Sequence, residues 1–415
     1  MKSLKIVSFY IISLVIVAIG ALISIRVTNF DEIIQSDAGP YLKLARSIVG
    51  SDNIVQTLFH PLQPRFIDVG YPIFLSTLMK IGGENNLLLF QVVNYLLWWG
   101  SCLFIYHALL LVSTQKKAFY FGILMALSPT FLTFSAKIYS EPLAAFGLSI
   151  LIYSTIGLMS KKRIFRHIPL FILSGIIFSI TKTVYVFFPI IGLVLFLIYK
   201  NLPGIIAGLV TVLLLLPFFN QSISGGRSNY NLAIQTSKVY QSYDSILACS
   251  VYYTSYPLGE LLLPKYQGVC HQNNPSNVMP GFETNPYVVA QDVRQQGFGF
   301  SDAIKTVLRH PLKYFLAMSV SMFNIVFIEG LYVNVLFKIN SPLREIAFLC
   351  FSVFYSFFLW NLFFKNKKIF YLSILPLIYF YVVVGNFPVE KRYFYPLFPW
   401  FYFFLGSKIY KNKKT

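Results

Sequence analysis

Long apolar runs alternate with short polar stretches over most of the chain. A helix needs ~20 mostly apolar residues to cross a hydrocarbon core about 30 Å thick. Ten runs approach this length, at residues 5–26, 86–112, 118–136, 142–159, 166–183, 185–199, 203–220, 345–364, 367–386 and 395–411. A further apolar stretch covers 312–334. The pattern predicts an all-α polytopic membrane protein with 10–11 transmembrane helices.

Two longer polar segments interrupt this alternation, at residues 27–85 and 221–311. The first contains two amphipathic pieces, 38–49 and 71–82, which are too short to span and which we expect to lie as helices in the membrane interface. The second segment is polar but rich in aromatics, which favours a folded loop. The chain therefore divides into a transmembrane module (1–220, including 27–85), a large loop (221–311) and a C-terminal transmembrane segment (312–415).

Composition and charge agree with this class. The 415 residues are 56% hydrophobic and only 12% charged, which is unlike an ordinary soluble domain. Basic clusters occur at Lys116-Lys117, 161–167, 365–368 and the C-terminal tail. Because basic loops stay in the cytoplasm, both termini are predicted to be cytoplasmic, and both long polar segments lie outside the cell membrane. This arrangement requires that 312–334 make no net crossing, so ten and eleven spans remain alternatives.

Several sequence features limit the function classes. The net charge of +19 is explained by loops that face anionic lipid, so no nucleic acid is predicted as a partner. The sequence has no metal-ligand spacing, no phosphate-binding glycine loop and no nucleophile elbow. Cys102 and Cys350 fall in apolar runs and are predicted to be core residues. Cys249 and Cys270 share the large loop, either as a disulfide or as two separate thiols.

Polar residues at the outer ends of the predicted spans are the candidate functional residues. They are Asp37, Arg65, Lys137, Glu141, Lys182, Arg392 and Tyr393. A carboxylate that acts as a base among several cations suits transfer of a sugar from a lipid phosphate. The cations would stabilise the departing phosphate, and Asp37 would take the proton of the acceptor hydroxyl. Attack opposite the phosphate would invert the sugar carbon, and the scheme requires no cofactor.

Each of these residues also has a structural interpretation. Asp37 is placed to cap a helix N-terminus, and Arg65 to pair with Asp68. Lys137 and Glu141 are spaced for a pair on one helix face. Lys182 is placed to extend its ammonium towards the interface, and Arg392 with Tyr393 to anchor the last span there.

Six stretches carry a resemblance to a known family: "SDAGPYLKLARSI" (36–48), "QPRFIDVGYPIFLSTLMKIGG" (63–83), "SPTFLTFSAKIYSEPLAAFGL" (128–148), "SGIIFSITKTVYVFFPIIGLVLFLIYK" (174–200), "LRHPLKYF" (308–315) and "EKRYFYPLFPW" (390–400). In this order they resemble the GT-C membrane glycosyltransferases, in particular the protein O-mannosyltransferase and lipid A aminoarabinose transferase group. The resemblance implies a GT-C-like fold, a polyprenyl-phosphate-linked sugar donor, and a cell-envelope glycan, lipid or protein as acceptor. Many members have Asp-Glu where this chain has Asp37-Ala38, so a role for a divalent metal is left open.

Two other functions fit a many-span protein with a large outer loop. An O-antigen polymerase or ligase would use arginines in that loop, yet residues 221–311 contain only Arg227, Arg294 and Arg309. A lipid-linked-sugar flippase or transporter would place polar residues near the middle of its spans. The sequence has its charges at span ends, which favours an enzyme.

Overall fold

The computed structural model describes residues 2–27, 33, 38–51, 69–160, 163–182, 185, 188–224, 300–323 and 397–407. Regular structure in these residues is helical, and they include no strand. The helices are α1 (Lys2–Val27), α2 (Ala38–Val49), α3 (Gly70–Gly82), α4 (Leu87–Val112), α5 (Gln115–Ala126), α6 (Pro129–Ser135), α7 (Glu141–Met159), α8 (Ile164–Thr181), α9 (Phe188–Ile198), α10 (Leu202–Ser224), α11 (Phe300–Arg309), α12 (Pro311–Phe323) and α13 (Phe398–Gly406).

Four helices of the described part are long and apolar enough to cross a membrane: Ile6–Arg26 within α1, and the whole of α4, α7 and α8. Helix α9 and residues 202–216 of α10 are also apolar but shorter. The predicted helical class and membrane character are therefore confirmed. The predicted runs 345–364 and 367–386 lie outside the described residues, and the total of 10–11 spans stays a prediction.

The predicted continuous helix over 118–136 is wrong. This run forms two short helices, α5 and α6, with a break at Leu127 and Ser128. Pro129 explains the break, because proline lacks a backbone N–H and its ring clashes with the preceding turn of a helix. Proline is well accommodated as the first residue of α6, where no intrahelical donor is required.

Helix α7 lies at the centre of the bundle, between α4 and α8. Large aromatic side chains fill the spaces between helices: Trp98 of α4 stacks on Phe131 of α6, with ring centroids 3.7 Å apart. Phe9 of α1 likewise stacks on Tyr106 of α4 at 3.9 Å. Cys102 is buried in this core, as the sequence predicts.

Helices α2 and α3 pack against each other and cover one end of the bundle. The apolar stripe of α2 includes Tyr41, Ala45 and Ile48 and faces Tyr71 and Leu75 of α3. Both helices occur where the sequence predicts short amphipathic helices. We call this end of the bundle the α2–α3 end; helix α7 begins there and the antiparallel helix α8 ends there.

One glycine permits the contact between α3 and the bundle. A Cβ atom at Gly70 would lie 2.9 Å from the backbone carbonyl of Ile180 in α8, closer than atoms can approach. Gly39 in α2, by contrast, has open space around its Cβ position. Gly70 therefore sets how closely α3 approaches the end of α8.

We expect Gly70→Ala to lower the apparent melting temperature of the detergent-solubilised protein, because the extra methyl group must displace a backbone segment, at a cost of about 1–3 kcal/mol. Gly39→Ala is the matched control. It should leave the melting temperature unchanged or raise it, since alanine is the better helix former. Equal behaviour of the two variants would contradict close packing at Gly70.

Candidate functional site

A buried ion pair lies at the α2–α3 end. The ammonium Nζ of Lys182 is 3.2 Å from Oε1 of Glu141, and the two side chains are only 1% and 0% exposed. Neither oxygen of Glu141 has a hydrogen-bond partner among the described residues. Lys182 therefore supplies Glu141 with an opposite charge rather than with a well-aligned hydrogen bond.

The positions of both residues follow from the helices that carry them. Glu141 is the first residue of α7 and Lys182 is the C-cap of α8. A negative charge is stabilised at a helix N-terminus and a positive charge at a helix C-terminus. Because the two helices are antiparallel neighbours, these ends lie side by side, and each charge also has the other as its partner.

Two tyrosines from the covering helices lie over this region. The Tyr41 hydroxyl of α2 is 3.4 Å from Oγ of Ser140, the residue just before Glu141. Tyr71 of α3 is fully buried and meets Tyr41 edge to face, with ring centroids 5.3 Å apart. Helices α2 and α3 thus contribute aromatic side chains with polar tips to the region beside the pair.

Two amides of α4 hold the segment that leads into α7. Gln91 Nε2 donates to the Ala136 carbonyl at 2.6 Å, and Asn94 Nδ2 donates to the Lys137 carbonyl at 2.9 Å. Asn94 Nδ2 also lies 3.4 Å from the Tyr71 hydroxyl. These bonds satisfy the carbonyls of a non-helical stretch inside an apolar bundle, where an unpaired carbonyl would be costly.

The environment keeps Tyr71 protonated. Burial raises the pKa of the Tyr71 phenol far above its ordinary value, and the negative charge of Glu141 raises it further, while the hydrogen bond from Asn94 opposes both. Tyr71 is therefore a neutral phenol that can donate a hydrogen bond at any physiological pH.

The structure brings three of the sequence-predicted residues to one end of the bundle: Lys137, Glu141 and Lys182. The helix-face pair between Lys137 and Glu141 is wrong, because Lys137 precedes α7 in a non-helical segment. Its Nζ lies 5.9 Å from the centroid of the Tyr139 ring. The interpretation of Lys182 as a side chain that reaches for the interface is also wrong, because its ammonium is buried beside Glu141.

The remaining predicted site residues, Asp37, Arg65, Arg392 and Tyr393, lie outside the described residues. So do Cys249 and Cys270. Ala38, the neighbour of Asp37 in the sequence, begins α2 and is fully buried in the cluster that contains Tyr41 and Tyr71.

Sequence reasoning did not select Tyr71 and Asn94, nor Gln91 and Ser140. A signal for the two amides is present, because Gln91 and Asn94 are three residues apart on an otherwise apolar helix and so share one face. The tyrosines had no such signal. They occur in apolar stripes of amphipathic helices, where an aromatic residue is most simply a packing residue.

The described residues contain no group of three or more His, Cys, Asp or Glu side chains placed to hold a metal ion. Comparisons of the chain with protein-family models, with curated proteins and with solved structures give no match.

Removing one charge of the pair should destabilise the protein strongly. We expect Glu141→Gln or Lys182→Met alone to cost about 3–5 kcal/mol, because each leaves the other charge buried without its partner. The double variant should recover most of this loss, since an uncharged pair of similar size has no such penalty. Thermal unfolding in detergent measures all three. Single variants as stable as the wild type would show that water solvates the pair.

Proposed function

We propose that the chain is an integral membrane glycosyltransferase that moves a sugar from a polyprenyl-phosphate donor to an extracytoplasmic acceptor in the cell envelope. The observation that carries the proposal is the buried Glu141–Lys182 pair, covered by two helices that do not span. The buried pair supports a preorganised polar site at the end of an apolar bundle. The stretches that resemble GT-C enzymes include both of these helices and the residues around Glu141.

We place the site on the outer face of a multi-pass protein of the cell membrane, with cytoplasmic termini. The distribution of described charges supports this orientation. Exposed Lys116 and Lys117 lie in the first turn of α5, and exposed Arg163 and Arg166 lie at the start of α8, all at the end opposite α2 and α3. Basic residues of this kind mark the cytoplasmic side.

The proposed reaction is a single displacement at the anomeric carbon of the donor sugar. The acceptor hydroxyl oxygen forms the new bond, the bond from carbon to the phosphate oxygen breaks, and polyprenyl phosphate leaves with the electron pair. Asp37 takes the acceptor proton. The donor phosphodiester has one negative charge and the departing phosphomonoester approaches two. Cations near the phosphate therefore bind the transition state more strongly than the bound donor, which is the condition for catalysis.

We propose different roles for the cations of this scheme according to their burial. Lys182 is enclosed with Glu141, so the scheme gives these two a positioning role, as the contact that holds the start of α7 beside the end of α8. Lys137 keeps a partly exposed side chain at the same end. We assign Lys137 to the phosphate, together with Arg65, Arg392 and Tyr393 from the sequence.

The location of the pair also bears on the flippase alternative. Transporters place charged groups near the middle of the bilayer, where the substrate crosses. Glu141 begins its helix and Lys182 directly follows the last residue of its own, so the buried pair lies at one end of the bundle and not near the middle of its helices. This position favours a reaction at the membrane boundary.

Cysteine labelling tests the orientation. In a variant without the four native cysteines, Asn85→Cys at the α2–α3 end should react with a membrane-impermeant maleimide in intact cells. Lys117→Cys at the opposite end should react only after permeabilisation. Both side chains are exposed, so burial does not confound the result. The reverse pattern would place the site in the cytoplasm and remove the proposed donor.

Turnover tests the reaction. The purified protein with a defined polyprenyl-phosphate sugar and an envelope acceptor fraction should release polyprenyl phosphate, which a flippase does not. We expect Asp37→Asn to reduce this release at least ~100-fold, the usual contribution of a general base, while keeping the shape and much of the capping ability of aspartate. Lys43→Gln, an exposed change in α2, is the control. Wild-type turnover in the Asp37→Asn protein would exclude Asp37 as the base.

A further inference from the structure

The end of the bundle opposite α2 and α3 contains a second row of polar side chains, which crosses four helices. The Tyr10 hydroxyl of α1 is hydrogen-bonded to Nε2 of His107 in α4, at 2.5 Å. The His107 ring is 6.2 Å from the ring of Tyr153 in α7, and Tyr153 is 4.9 Å from His167 in α8. Arg166 lies within electrostatic range of Tyr10, His107 and His167.

The row combines accessible and buried groups. Arg166 is exposed, and Tyr10, His107 and Tyr153 are partly exposed. His167 is only 3% exposed, and its Nδ1 atom has no hydrogen-bond partner among the described residues. Its ring packs directly against Gly157, where any side chain would clash with it. Buried polar atoms are normally hydrogen-bonded. The Nδ1 atom of His167 can therefore still form a hydrogen bond to a ligand held by the neighbouring exposed guanidinium of Arg166.

An aromatic strip continues from this row towards the middle of the bundle. Phe104 of α4 is 5.7 Å from Tyr153 and also 5.7 Å from Phe146 of α7, measured between ring centroids. All three rings are partly exposed. The outer surface beside the row is apolar as well: Ile11 of α1 is 57% exposed, and Phe165, next to Arg166, is 93% exposed. The polar groups of the row thus lie beside an apolar surface that can pack against a hydrocarbon chain.

The charge at this end has one sign. Arg163, Arg166 and Lys200 are exposed, and the acidic side chains that the structure describes, Glu84 and Glu141, belong to the α2–α3 end. Two of these bases occupy left-handed backbone positions, Arg163 with φ 48° and Lys200 with φ 51°. Glycine is the usual residue there, because a side chain is strained in this conformation.

We infer that Arg166, Tyr10, His107 and His167 form a binding site for the headgroup of an anionic phospholipid, whose acyl chain lies on the strip of Phe104, Phe146 and Tyr153. Arginine binds phosphate through two parallel hydrogen bonds, and phenol and imidazole groups can donate to the remaining oxygens. A soluble anion would bind the arginine but would make no contact with the aromatic strip or with the exposed apolar surface beside it. The combination therefore selects a ligand with both an anionic head and an apolar tail.

Native mass spectrometry of the purified full chain tests the site, with phosphatidylglycerol and phosphatidylcholine of identical acyl chains as probes. The wild type should bind phosphatidylglycerol at least ~10-fold more tightly, because both headgroups contain a phosphate but the choline of phosphatidylcholine adds a positive charge that weakens the charge-assisted contact with this basic end. Arg166→Gln should abolish this preference and Arg166→Lys should keep part of it. Lys43→Gln, which removes an exposed cation at the α2–α3 end, should keep all of it.

Two further measurements separate this site from general attraction. A phosphatidylglycerol with a photoreactive acyl chain should label the peptides that contain Phe104 or Phe146 in the wild type, and less so in Arg166→Gln. Inorganic phosphate should not displace the lipid, because it cannot occupy the strip. The inference is overturned by equal binding of the two lipids to the wild type, by an unchanged preference in a folded Arg166→Gln protein, or by displacement with phosphate.

Discussion

A charge inside an apolar helix bundle must have a partner of opposite sign, and this constraint determines the geometry of the candidate site. Moving a carboxylate or an ammonium group out of water costs several kcal/mol even after the protein relaxes. The attraction between Glu141 and Lys182 offsets part of this cost for both residues, because their charged atoms are 3.2 Å apart. Such a pair contributes little to stability by itself, but it fixes the relative position of two helix ends, because neither charge has a satisfactory alternative place. The covering helices α2 and α3 complete the exclusion of water.

The two ends of the α7–α8 pair illustrate different uses of charge in one bundle. At the α2–α3 end, opposite charges are enclosed together and the hydrogen bonds of Gln91 and Asn94 satisfy the chain around them. At the other end, charges of one sign stay exposed, and the buried Nδ1 atom of His167 has no hydrogen-bond partner among the described residues. The enclosed pair at the α2–α3 end fixes the relative position of the two helix ends, whereas the exposed cations at the other end form a positively charged surface. The dipole of α7 favours the acid at its N-terminus, and that of α9 favours Lys200 just beyond its C-terminus, whereas the N-terminal dipole of α8 opposes the positive charges of Arg163 and Arg166.

The sequence predicts most of the described helices because long apolar runs and amphipathic stripes have few other structural solutions. The short helices α2 and α3 agree with their predicted positions to within one residue. The break between α5 and α6 was missed because hydropathy is continuous across it, and only the backbone chemistry of Pro129 separates the two helices.

The ion partner of Glu141 could not be predicted from the sequence either. Spacing along one helix suggested Lys137, whereas the actual partner belongs to the next helix, and its pairing depends on how the helices pack. Sequence patterns indicate which residues are buried or periodic, but they do not indicate which residues that are far apart in the sequence are in contact.

The short connection between α7 and α8 has a consequence for how the protein enters its membrane. Residues 141 and 182 stand at the two free ends of one helical hairpin, and only four residues separate the last residue of α7 from the first of α8. An isolated α7 would expose its carboxylate to the lipid boundary, and an isolated α8 its ammonium. A hairpin that leaves the insertion machinery as one unit presents the two charges together and is electrically neutral at that end. The ion pair thus ties the biogenesis of α7 to that of α8, so that neither helix is well suited to a lipid environment before the other has been synthesised.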